Sequence, residues 1–101
     1  MISFLDNHCD SLAQLCRAAG VKRLAAFGSV VRPDFRPDSD VDLLVEFSDV
    51  DAPGYADRFM QFATEAEKIL GRRVDLLTTT SLRNPYLKKR VEQEAVEIHA
   101  A

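Results

Sequence analysis

The stretch from Phe27 to Phe47 constrains this chain more tightly than any other. An apolar run closes on Gly28-Ser29, a polar segment broken by Pro33 and Pro37 follows, and Asp40 and Asp42 then stand at the mouth of a second apolar run. Residues two apart on a strand point the same way, so the two carboxylates project toward one point. Anions held that close repel and raise each other's pKa unless a cation lies between them; a divalent metal is the simplest such cation. Pro33 disfavours the helical conformation at Arg32 and offers no amide of its own, so only one helical turn fits after the Gly28-Ser29 corner. The unpaired N–H groups at the start of such a turn attract phosphate.

The flanking segments supply a scaffold. Phe4, Leu5, Cys9, Leu12, Leu15, Cys16 and Ala19 recur at helical spacing up to Gly20, and Ser3 with Asp6 forms a capping pattern, which predicts a helix over residues 4–19. Residues 23–27 read as a first strand ending at Gly28, and Val41–Phe47 as a second, apolar enough to be covered on both faces except at its aspartate end. An acidic loop with Asp49 and Asp51 precedes a long helix whose inner face carries Tyr55, Phe59, Phe62, Ala63, Ala66, Ile69 and Leu70, stopping at Gly71. Residues 73–77 form a third strand with Asp75 inside it. The hydroxyls of Thr78 to Ser81 can cap a last helix over residues 85–94, and residues 95–99 make a final extended segment.

At 101 residues this is a single domain, 1–101, with one modest core. Thirteen basic against sixteen acidic side chains leave a net charge of −3, which argues against binding nucleic acid by neutralising its phosphates. The signs are segregated, acids dominating from Asp34 to Asp57 and bases from Arg72 to Arg90, a layout that attracts an acidic partner or a triphosphate. Cys9 and Cys16 share a helix face about 10 Å apart, too far to bridge. With no signal-like start and no apolar run of membrane length, the expectation is a cytoplasmic, reduced setting without membrane contact.

Asp-x-Asp alone occurs in many solvated turns. The full set is more specific: Gly28-Ser29, then Asp40-x-Asp42, then Asp75 between Val74 and Leu76, where an aspartate needs a compensating partner, either a metal or a salt bridge to Arg72 or Arg73. Carboxylate oxygens select a hard cation, and magnesium takes one or two of them together with substrate phosphates. Two such ions can activate a hydroxyl and stabilise departing pyrophosphate. The reaction deduced is nucleotidyl transfer.

The run from Gly28 to Val45 resembles the signature of the polymerase-beta-like nucleotidyltransferase superfamily. Leu70-Gly71-Arg72-Arg73-Val74-Asp75-Leu76-Leu77, with the segments Ser81-Leu82-Arg83 and Glu94-Ala95-Val96, resembles more narrowly the minimal nucleotidyltransferases, antitoxins paired with HEPN-domain ribonuclease toxins. The resemblance implies an α/β (α+β) fold, a mixed sheet of three to four strands flanked by helices. It assigns magnesium binding to Asp40, Asp42 and Asp75, with Asp75 also helping to deprotonate the acceptor, and nucleotide phosphates to Gly28, Ser29 and Arg32. The implied activity is transfer of AMP from ATP to a tyrosine hydroxyl of a cognate HEPN toxin, in a hetero-oligomer. Pro33 departs from the glycine often found after the arginine, stiffening the loop and removing one phosphate donor. The competing readings are an antitoxin that only binds its toxin, its metal site vestigial, and a small-molecule nucleotidyltransferase, which usually needs a further helical domain.

Overall fold

In the computed structural model the described residues are 7–28, 40–48, 53–78 and 84–100. They form α1 (Cys9–Ala19), β1 (Val21–Phe27), β2 (Val41–Phe47), α2 (Tyr55–Leu70), β3 (Val74–Thr78), α3 (Pro85–Glu94) and β4 (Val96–Ala100). The strands lie in the order β3-β2-β1-β4. β2 runs parallel to β3, and the other neighbours are antiparallel. This is the expected mixed sheet flanked by helices, with the segment after residue 95 completing it as a fourth strand. The predicted first helix is shorter than residues 4–19 where it is described, since Asn7 and His8 form a turn and the helix starts at Cys9. The Ser3/Asp6 cap, residues 29–39, Asp49, Asp51 and Thr79 to Arg83 lie outside the described residues.

One face of the sheet carries the core. Val41, Leu43, Val45 and Phe47 of β2, Leu24 and Ala26 of β1 and Leu76 of β3 pack beneath Leu12 and Cys16 of α1 and Phe62, Ala66 and Leu70 of α2. Each such large side chain contributes about 1.5–3 kcal/mol on burial. Gly20 and Gly71 end α1 and α2 in left-handed geometry, their amides donating to the Cys16 and Glu67 carbonyls. The opposite face is thinner. Val91 of α3 covers Phe27 with Leu44, Leu77 and Ala95 around them, and Asp42, Leu44 and Glu46 remain half-buried. Cover on both faces of β2 away from its aspartate end, expected from its apolar run, is therefore corrected at Leu44 and Glu46, which stay half-buried; among the described residues the ten-residue α3, with one buried side chain, is what packs on this face.

Two local features lay outside the sequence pattern. β1 begins at Val21 because a bulge between Val21 and Arg23 lets Val21 join the core while Lys22 and Arg23 stay exposed. α3 is capped by Asn84, whose Oδ1 accepts from the Tyr86 and Leu87 amides at 2.9 and 3.3 Å, with Pro85 opening the helix. Among the described residues no helix is long and apolar enough to cross a membrane.

Candidate active site

β1 ends, and β2 and β3 begin, at one end of the sheet, and the acids collect there. Phe27 pairs with Asp42 across β1 and β2, and Asp42 pairs with Asp75 across β2 and β3. Register partners put their side chains on the same face, so Asp42 and Asp75 stand side by side on strands about 4.8 Å apart, on the face that α3 half covers. Asp40, two residues before Asp42, shares that side by alternation. Asp40 and Asp75 are exposed there and Asp42 is half-buried.

The backbone at this end is held from two directions. The Val41 amide donates to the Arg73 carbonyl at 2.9 Å, tying the start of β2 to the start of β3. The Val74 amide, facing the open edge of β3, donates to Glu67 Oε2 of α2 at 3.0 Å. Asp75 is thus fixed through its neighbour, and Glu67 is a positioning residue that helical periodicity alone did not single out.

Gly28 closes the site. It has φ of +73°, a conformation that side chains rarely adopt, and a Cβ placed there would fall on the Asp42 carboxylate oxygen and lie 3.2 Å from its Cγ. The glycine is required because the chain turns directly against the acid. This close approach sets the glycine corner against Asp42 in space. Ser29 and Arg32 fall outside the described residues.

Asp75 departs from expectation in one respect. The apolar neighbours Val74 and Leu76 predict a buried carboxylate, but β3 is the edge strand and Asp75 is exposed. Among the described residues it forms no salt bridge to Arg72 or Arg73. Its presence at the head of β3 is therefore explained neither by burial nor by ion pairing. The donor set, carboxylate oxygens alone, suits a hard divalent cation. Among the described residues no three His, Cys, Asp or Glu side chains close to metal-ligating range. The register supplies the pair Asp42 and Asp75, with Asp40 beside them at the exposed mouth.

Comparison with known proteins decides the family, because residues 9–98 match the nucleotidyltransferase domain. The chain belongs to the nucleotidyltransferase family. This nucleotidyltransferase is 38% identical over 79 residues to the protein adenylyltransferase MntA of Thermococcus cleftensis, covering 78% of this chain and 76% of that one. A solved structure provisionally assigned as a minimal nucleotidyltransferase superposes with a TM-score of 0.77 at 33% identity, covering 94% and 93% of the two chains. A complex of a tri-AMPylated Shewanella oneidensis HEPN toxin with its MNT antitoxin shares the fold, with a TM-score of 0.63 at 18% identity over 95% and 72%.

Proposed function

We propose that this nucleotidyltransferase is a protein adenylyltransferase that moves AMP from ATP to a tyrosine hydroxyl of a cognate HEPN toxin, silencing it as an antitoxin. The observation that carries the reading is the side-by-side placement of Asp42 and Asp75, with Asp42 against the side-chain-free backbone of Gly28. The names of the Thermococcus relative and of the Shewanella complex support the choice of protein acceptor and toxin.

Asp40 and Asp42 would hold the divalent ion, with Asp75 completing its ligands. When bound, magnesium supplies positive charge against the repulsion between phosphates and the incoming oxygen. Gly28, lacking a side chain, lets the phosphates approach the backbone, and Ser29 and Arg32 complete their binding. The Asp75 carboxylate, exposed at the edge of the sheet, accepts the proton of the acceptor hydroxyl. The hydroxyl oxygen then bonds to the α-phosphorus, the bond from that phosphorus to the bridging oxygen breaks, and pyrophosphate leaves. The exposure of Asp75 fits a large acceptor, since a polypeptide reaches an edge strand without having to enter a cavity.

The test is incubation of the chain with magnesium, ATP labelled in its AMP portion and the toxin encoded beside it. Label should appear on the toxin and vanish in Asp40→Asn/Asp42→Asn. Toxin inhibition that persists in that variant without label would replace the transferase with an antitoxin acting by binding alone.

A further inference from the structure

β3 is an open edge of the sheet, and its backbone groups point in two directions. The Val41 amide donates to the Arg73 carbonyl and Val41 pairs with Val74, so by the alternation of a parallel ladder Val74, Leu76 and Thr78 turn their N–H and C=O groups outward. Glu67 closes the Val74 amide at 3.0 Å. The outward amide and carbonyl of Leu76 have no hydrogen-bond partner among the described residues. At the opposite edge, the β1–β4 pairing has a register irregularity between Leu24 and Ala25, and β4 carries Glu97, which pairs with Arg23; bulges and charges of this kind keep further strands from adding to an edge. Past Asp75, the run Leu76-Leu77-Thr78 has no charge, proline or bulge.

Along this edge an apolar groove of about 410 Å³ opens between α2 and β3, lined by Tyr55, Phe59 and Met60 and by Leu76 to Thr78. Met60 is 63% exposed there, far more than a core side chain. Open backbone groups beside a pocket for alternate side chains are the two elements of recognition by strand addition. A small-molecule pocket fixes its ligand with a few convergent polar or charged groups, and no charged side chain lines this one. The groove starts one residue past Asp75, so whatever fills it continues into the candidate site. We propose that the β3 edge docks an extended segment of the protein acceptor, which pairs with Leu76, sinks an apolar side chain into the groove and presents its hydroxyl on the face of Asp75. Successive residues of an added strand face opposite sides, and Leu76 and Asp75 do the same. The geometry thus sets a rule for the acceptor: an apolar residue stands an odd number of positions from the one that is modified.

This inference rests on the transfer reading and extends it to how the acceptor is held, and two readouts keep them apart. Hydrogen exchange at the Leu76 amide, followed by nuclear magnetic resonance, reports docking, whereas label on the toxin reports transfer. Adding the toxin encoded beside this chain should slow Leu76 exchange at least roughly 10-fold, as a newly formed ladder bond does. Met60→Lys sets a charge in the groove and should weaken toxin binding, and raise the KM for toxin, by roughly 10-fold or more, with the KM for ATP and the melting midpoint as in wild type. Met60→Leu, which keeps the apolar volume, should bind toxin like wild type. Unchanged toxin affinity in Met60→Lys, or Leu76 exchange that toxin does not alter, would overturn the proposal. So would Leu76 protection that grows with the concentration of this chain alone, which marks a second copy on the edge. Leu76 protection and Met60-dependent toxin binding without any label would keep the docking surface and remove the transferase reading.

Discussion

The two faces of the sheet divide the work of the chain. On β2 the odd-numbered residues Val41, Leu43 and Val45 are completely buried and Phe47 nearly so, while the even-numbered Asp42, Leu44 and Glu46 are half-buried. The first set packs under two helices and the second under one. A strand of period two can thus carry the fold on one side and, on the proposed reading, the chemistry on the other, with little trade between them, because neighbouring side chains point to opposite faces.

The comparison predicts that changes on the two faces separate stability from activity. The largest effect expected is from Asp75→Asn, which should cut AMP transfer by about 10²- to 10⁴-fold, the usual contribution of a positioned general base, with thermal unfolding unchanged; near-normal transfer would remove Asp75 from the chemistry. On the opposite face Leu43→Ala should cost about 2–5 kcal/mol in denaturant unfolding, and Leu44→Ala clearly less. Equal costs would mean that α3 covers its face as fully as α1 and α2 cover theirs.

Gly28→Ala sits at the boundary and should show both kinds of effect. The left-handed backbone costs about 1–2 kcal/mol for a residue with a Cβ, and the added carbon displaces the Asp42 carboxylate, so transfer should fall further than stability alone explains. The smallest effect concerns Cys16, whose thiol burial pushes up from 9.0 to about 12. The unfolded thiol ionises near pH 9 and the folded one only near 12, so the folded state holds its proton longer. Stability from this group is intact below pH 9 and declines as pH rises toward 12. Alkylation at pH 9 should accordingly modify half-buried Cys9 first and reach Cys16 only in denaturant.

Much of this architecture is legible in the sequence because it rests on short-range signals. The spacing of Phe62, Ala66 and Leu70 ahead of Gly71, the alternation from Val41 to Phe47 and Pro85 at a helix start place their elements without reference to the rest of the molecule. What the pattern does not convey is relational. Nothing around Asp75 marks β3 as the edge strand, so apolar neighbours imply a burial that the sheet order cancels. The cap at Asn84 competes with a run of hydroxyl residues that looks equally able to cap. The pairing of β4 with β1 depends on contacts between residues at least seventy positions apart. At the candidate site, Gly28, Asp42 and Asp75 are readable as residue types at a spacing, and the reason for the glycine emerges from its contact with the carboxylate.

The most direct test of the site is the binding of manganese, a spectroscopic substitute for magnesium, titrated by electron paramagnetic resonance into wild type, Asp42→Asn and Asp75→Asn in the presence of a non-hydrolysable ATP analogue. If acids from the two strands serve one cation, each single substitution should weaken binding while both variants melt like wild type. Undiminished manganese affinity in Asp75→Asn would contradict the account, leaving the register of Asp42 and Asp75 as a feature of the sheet alone.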